Sequence, residues 1–194
     1  MSMSEKKQKE IELKRRTQIL SVALSLFFEK GYKNTKITDI AEAADISKGL
    51  LYRYFKSKAE ILFSYSDMLN ECLEEINNIS SAKEAIKEFG LRFLSTSDEN
   101  GYIPPLQVYI TVFVRGEIND SEYENPVNLN FGSSFFGPIF EKGMKVGEFK
   151  KGDANEFGNI YWHCLLGYLM DIIQNPDRLI NKPNLDSIIA LFEA

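Results

Sequence analysis

Cysteine and histidine are scarce in this sequence. Cys72 and Cys164 stand 92 positions apart with no pairing pattern, which reads as buried free thiols in a reducing cytoplasm rather than a disulfide framework. His163 is the single histidine, and no set of His, Cys and carboxylates has metal-site spacing, so no metal or cofactor is expected. Long apolar runs are missing too. No window approaches about 18 uninterrupted apolar residues, so a membrane span is not expected. The stretch MSMSEKKQKEIELKRR is charged and lacks the apolar core of a signal peptide. There is no phosphate-cradling glycine loop and no nucleophile–base pairing, which argues against an enzyme. Alternating strand patterns and internal repeats are absent as well.

What is present is a core-forming apolar content of 44%, too high for disorder, and an uneven charge. Residues 1–60 hold 13 Lys/Arg and 8 Asp/Glu, a net of +5, while residues 61–194 hold 10 and 20, a net of −10. A basic head on an acidic body points to a polyanion met by the head alone.

Apolar periodicity predicts an all-α chain of about nine helices. Helix 9–30 carries two adjacent rows, Ile19/Ala23/Phe27 and Leu20/Leu24/Phe28, and Gly31 stops it. Thr35 is the expected cap of a short helix over 36–44. Asp45-Ile46-Ser47 forms an elbow, and Ser47 caps a third helix over 48–54 whose Leu51 faces inward with Phe55. A helix of about seven residues is not stable alone, so the other two must prop it, as in a helix-turn-helix unit. Ser57 and Glu60 form a capping box for a long helix expected over 57–79. Further helices are expected over 82–96, 103–117, 126–145, 154–174 (capped by Asp153) and 184–193. The predicted division is a DNA-binding head, 1–56, and a helical body, 57–194.

The second helix of such a unit reads base edges in the major groove from near its N-terminus. Here that face offers Lys48, Gly49, Leu50, Tyr52 and Arg53. Lys48 and Tyr52 share one side as an i, i+4 pair. Lys48 or Arg53 can donate to guanine, and Leu50 can touch a thymine methyl. Thr35, Ser47, Tyr54 and Lys58 suit phosphate oxygens, which set register without carrying sequence information.

The stretch from Arg16 through ILSVALSLFFEKGYKNTKITDIAEAADISKGLLYRYFKSKAEIL resembles the TetR family of transcription regulators. Ile19, Ala23, Phe27, Gly31-Tyr32, Thr35, Ile40-Ala41, Ala44, Ser47, Tyr52, Tyr54-Phe55 and Lys58 carry the resemblance. It implies a homodimer with two DNA-binding heads and a ligand-sensing body. It places base contacts on Thr38, Lys48, Gly49, Leu50, Tyr52 and Arg53, and phosphate contacts on Thr35, Ser47, Tyr54 and Lys58. Two positions depart from the family pattern. Asp45 stands where glycine is usual, and Leu50 where a hydroxyl or small residue is frequent.

In the body, Phe89, Phe93, Tyr109, Phe113, Trp162 and Tyr168 are candidates for lining an apolar cavity, with Glu117, Arg115 and His163 as polar anchors. Helix 154–174 is apolar around much of its girth. With 184–193 it is expected to form a two-fold four-helix interface between protomers. The functional expectation is a dimeric repressor that a lipophilic or aromatic effector releases from its operator. The alternative is the same DNA head with a body that acts on a protein partner.

Overall fold

A computed structural model of the chain describes residues 3–64, 66–94, 105–114, 116–118, 130–174 and 184–193. All regular structure among them is helical: α1 (Met3–Lys30), α2 (Ile37–Ala43), α3 (Lys48–Tyr54), α4 (Lys58–Phe63), α5 (Ser66–Asn77), α6 (Ala82–Leu94), α7 (Pro105–Val114), a π-helical turn (Gly132–Phe136) running into α8 (Gly137–Val146), α9 (Ala154–Gln174) and α10 (Leu185–Ile189). The all-α expectation holds, and α3 and α9 have the bounds read from the sequence.

Packing divides the chain into two units that differ from the expected split at 56/57. One comprises Met1–Leu69 with Ser97–Ser121, the other Asn70–Thr96 with Glu122–Ala194. The first unit is therefore larger than a three-helix head, because α4 and α7 belong to it. Its core joins Ile19, Leu20, Ala23, Leu24 and Phe27 of α1 to Ile40 and Ala41 of α2, Leu51 of α3, Ile61 and Leu62 of α4, and Val108 and Val112 of α7. Both predicted rows of α1 enter this core, although Phe28 only packs at its edge. Each fully buried aliphatic or aromatic side chain contributes about 1.5–3 kcal/mol. That burial holds a third helix too short to survive alone.

The long helix expected over 57–79 is interrupted. Ser57 caps α4 by accepting the Glu60 N–H at 3.0 Å, while the Glu60 carboxylate accepts the Lys56 N–H at 2.6 Å. Ser64 then closes α4, donating its hydroxyl to the Glu60 carbonyl at 2.6 Å and accepting from the Arg16 guanidinium at 3.1 Å.

In the second unit, α6 buries Ala82, Ala85, Ile86, Phe89, Gly90, Phe93 and Leu94 on one face. The π-helical turn lies directly on α9, with glycine on both sides of the contact. A Cβ built on Gly158 would fall 2.4 Å from the Gly132 carbonyl oxygen. Asp153 caps α9 as expected, accepting the N–H groups of Asn155 and Glu156 at 2.9 and 3.1 Å. The Tyr161 hydroxyl donates to the Ile86 carbonyl at 2.5 Å, and burial pushes that phenol above its usual pKa range. Of the expected helix over 126–145, the part up to 129 lies outside the described residues.

Candidate nucleic-acid interface

The elbow between α2 and α3 is a complete Schellman turn. The Ile46 N–H reaches the Ala41 carbonyl at 2.9 Å and the Asp45 N–H reaches the Glu42 carbonyl at 3.0 Å. Asp45 sits at φ 52°, the left-handed conformation that the family's glycine would adopt without cost. Ser47 follows in extended conformation and accepts the Leu50 N–H at 3.1 Å, starting α3.

With the start of α3 fixed, its faces follow from helical spacing. Leu51 is fully buried and Phe55 nearly so, and both anchor α3 to the core. Lys48, Gly49, Tyr52 and Arg53 are exposed on the other side, with Leu50 half-buried between them. Tyr52 keeps 46% of its surface, and the Lys48 ammonium lies 5.8 Å from the centre of its ring. Thr38 and Ser47 are exposed alongside. Cationic donors and an aromatic hydroxyl therefore share one outward surface on a helix of the size that enters a major groove.

Two predicted phosphate contacts are placed differently. Thr35 is 1% exposed, and its hydroxyl donates inward to the Gly31 carbonyl at 2.8 Å, with the Leu26 carbonyl at 3.2 Å. The residue that caps α2 is instead Lys36, whose N–H donates to the Asp39 carboxylate at 3.0 Å. Lys58 donates to the Tyr32 and Thr35 carbonyls at 2.6 and 2.7 Å, and its ammonium lies 4.4 Å from the centre of the Tyr32 ring. Burial lowers its pKa, against the raising effect of Glu117 and Asp39. Both side chains hold the α1–α2 turn rather than face outward. Tyr54 is half-buried against the head core.

Residues 19–65 match the family model described as bacterial regulatory proteins, tetR family. Over that stretch the chain is similar to the DNA-binding segment of the TetR family. Over 49 residues it is 53% identical to the HTH-type transcriptional regulator HbdR of Aromatoleum sp. (strain CIB), covering 25% of this chain and 21% of that one. Over 62 residues it is 40% identical to IcaR of Staphylococcus aureus (strain Newman), the biofilm operon icaADBC HTH-type negative transcriptional regulator, covering 32% of each. Those matches span about a fifth and about a third of the relatives' lengths. In fold, the chain is similar to AibR in complex with isovaleryl coenzyme A and operator DNA, with a TM-score of 0.62 at 18% identity over 92% of this chain and 97% of that one.

The predicted effector residues are described only in part. Phe89, Phe93 and Trp162 do meet, with Phe93 and Trp162 ring centres 5.3 Å apart and Phe89 and Phe93 stacked at 5.9 Å. Phe131, Phe135 and Phe136 from the π-helical turn and its approach close around Phe89 at 6.2, 5.7 and 4.9 Å. These three were not singled out in the sequence, although their spacing puts them on the same aromatic run. Tyr168 is half-buried on α9. Glu117 belongs to the first unit, where its carboxylate accepts the Lys33 N–H at 3.1 Å. His163 is exposed, with Nδ1 2.7 Å from the Asn159 carbonyl oxygen. The side chains of Tyr109 and Phe113, and Arg115 as a whole, lie outside the described residues. A cleft of about 150 Å³ lined by Ile76, Ile79, Ala85, Pro138, Ile139 and Lys142 contains none of the predicted effector residues. Among the described residues no group of His, Cys, Asp and Glu could hold a metal, and no helix is long and apolar enough to cross a membrane.

Much of the apolar surface of the two helices expected at the protomer interface is taken up inside the protomer. Leu185, Ile188, Ile189 and Phe192 are buried within the protomer, as are Tyr161, Leu165 and Leu169 of α9. On α9, Ile160, His163 and Gly167 form an exposed stripe, and a Cβ on Gly167 would meet nothing within 4 Å.

Proposed function

We propose that the chain is a dimeric transcriptional repressor that binds duplex DNA through α3 and is released from its operator by a small apolar or aromatic effector. The observation that carries the reading is the two-sidedness of α3, with Leu51 fully buried and Lys48, Tyr52 and Arg53 exposed. Lys48 and Arg53 supply the base-edge donors, Leu50 the apolar contact, and Gly49 permits close backbone approach. Thr38 and Ser47 contribute from the rim, the latter at the start of α3 where free N–H groups favour a phosphate. Two similar proteins support the two halves of the reading. IcaR is a negative regulator, and AibR was seen with both an acyl coenzyme A and operator DNA. For the effector, the ring cluster around Phe89 supplies apolar surface that a ligand could share. For assembly, the Ile160/His163/Gly167 stripe lets a second α9 approach closely, and a dimeric helix-turn-helix protein reads two half-sites about 34–36 Å apart, one turn of DNA.

Selection of bound fragments from genomic DNA, followed by titration of the recovered duplex, tests the reading. Recovery of one recurrent site that binds far more tightly than mixed duplex supports it, and indifference to every duplex at low salt overturns it. Light scattering on the eluting protein tests the assembly, with a species of twice 22.2 kDa expected.

A further inference from the structure

We propose that the exposed part of α1, from Lys6 to Lys14, is a second DNA-binding surface. It is a helical arm that holds phosphates flanking the site read by α3, and it rests on the DNA-reading role assigned to α3. Residues 6–16 contain six basic and two acidic side chains, a net of +4 in a chain whose total is −5. Lys6, Lys7 and Lys14 are exposed, and among the described side chains of α1 the first buried one is Ile19. At about 1.5 Å per residue the arm reaches about 20 Å beyond that core.

The arm is rooted at both ends of the reading unit. The Arg16 guanidinium donates to the Tyr54 carbonyl at 3.1 Å and stacks 4.3 Å over the Phe55 ring, while the Gln18 amide donates to the Ala44 carbonyl at 3.2 Å. The positive stretch therefore leaves the head from a root at the C-terminal end of α3. A polar helix with no packed face is marginal alone. Here it propagates from the anchored part of α1, and the i, i+4 pair Glu10–Lys14 at 3.1 Å adds support.

Charge selects the occupant. Duplex DNA carries about one charge per 1.7 Å of axis, so the stretch from Lys6 to Lys14, about 12 Å long, runs past about seven phosphates. Its exposed apolar side chains are Ile11 at 53% and Leu13 at 65%. They stand two apart, so they point to different sides and form no stripe for a partner helix.

The test uses the full chain and a mixed-sequence duplex titrated between about 50 and 200 mM salt. Lys6→Gln/Lys7→Gln/Lys14→Gln is expected to reduce the slope of log affinity against log salt by about 2–3 units, at about 0.9 per phosphate contact. Over that salt range the variant loses about 40-fold less affinity than the parent. Its thermal melt stays that of the parent, and its preference for the selected site over mixed duplex stays as well. Ile11→Ser/Leu13→Ser keeps the parental slope. An unchanged slope in the triple variant, with parental binding intact, overturns the arm alone. A parent that ignores all duplex overturns the α3 reading and the arm together. Loss of self-association in the serine variant would make the stretch a protein-docking helix instead.

Discussion

Replacing Lys58 by methionine separates two roles that the sequence cannot distinguish. The substitution keeps the stem and removes the ammonium that donates to the Tyr32 and Thr35 carbonyls at 2.6 and 2.7 Å. Hydrogen bonds from a charged donor are worth about 1.5–3 kcal/mol each when well buried. Lys58 is half-exposed, so about 1 kcal/mol each is appropriate, and the ring contact with Tyr32 at 4.4 Å adds about 0.5–1 kcal/mol. The expected loss is about 2–3 kcal/mol. In a chain of this size that is about 5–10 °C in Tm, at about 2–4 °C per kcal/mol. Thermal unfolding followed by far-UV circular dichroism measures it, and duplex titration at several salt concentrations measures the charge contact. Lys58→Met should melt early and keep the parental salt slope. A parental melt with a slope reduced by about 0.9 would show that Lys58 holds a phosphate, and the clamp assignment would be wrong.

Asp45→Gly should stabilise the chain by about 0.5–1 kcal/mol, the strain of φ 52° being partly offset by extra unfolded-state entropy; denaturant titration reads the midpoint. Leu51→Ala removes the one buried side chain within α3 and should cost about 2–5 kcal/mol, abolishing duplex binding at a residue that faces away from it. Tyr161 has a raised pKa through burial, so above pH ~10 the unfolded phenol ionises while the folded one keeps its proton. Stability present below that pH is then lost as pH rises, by about 1.4 kcal/mol per unit. Tyr161→Phe should remove that alkaline slope in pH-dependent unfolding, at a cost of about 0.5–1.5 kcal/mol for the bond to Ile86.

The head was legible because its determinants are local. The α1 rows, the Gly31 stop, the Ser47 and Ser57 caps and the inward Leu51 all follow from spacing within a few residues. The left-handed elbow was legible as well, since Asp tolerates that conformation better than most residues. The break of the 57–79 helix was not legible. No Gly or Pro marks it, and the Ser64 hydroxyl that closes α4 is held by Arg16, 48 positions away. Thr35 was misplaced by one position because its hydroxyl bonds back to Gly31 and leaves the cap to Lys36. Glu117 reads as an anchor for a ligand only until its bond to the Lys33 N–H, across 84 residues, is seen. The aromatic residues were recognisable as apolar payload. That Phe89 meets Phe131, Phe135 and Phe136 depends on the approach of the π-helical turn to α6, which no local pattern encodes.

The central claim is that the outward side of α3 reads DNA. The most direct measurement is the affinity of Lys48→Ala and Tyr52→Ala for the recovered genomic duplex, compared with mixed duplex at one salt concentration. Each variant should lose about 1–3 kcal/mol of discrimination, a factor of about 5–150, while melting like the parent. Parental affinity and parental selectivity in both variants would contradict it.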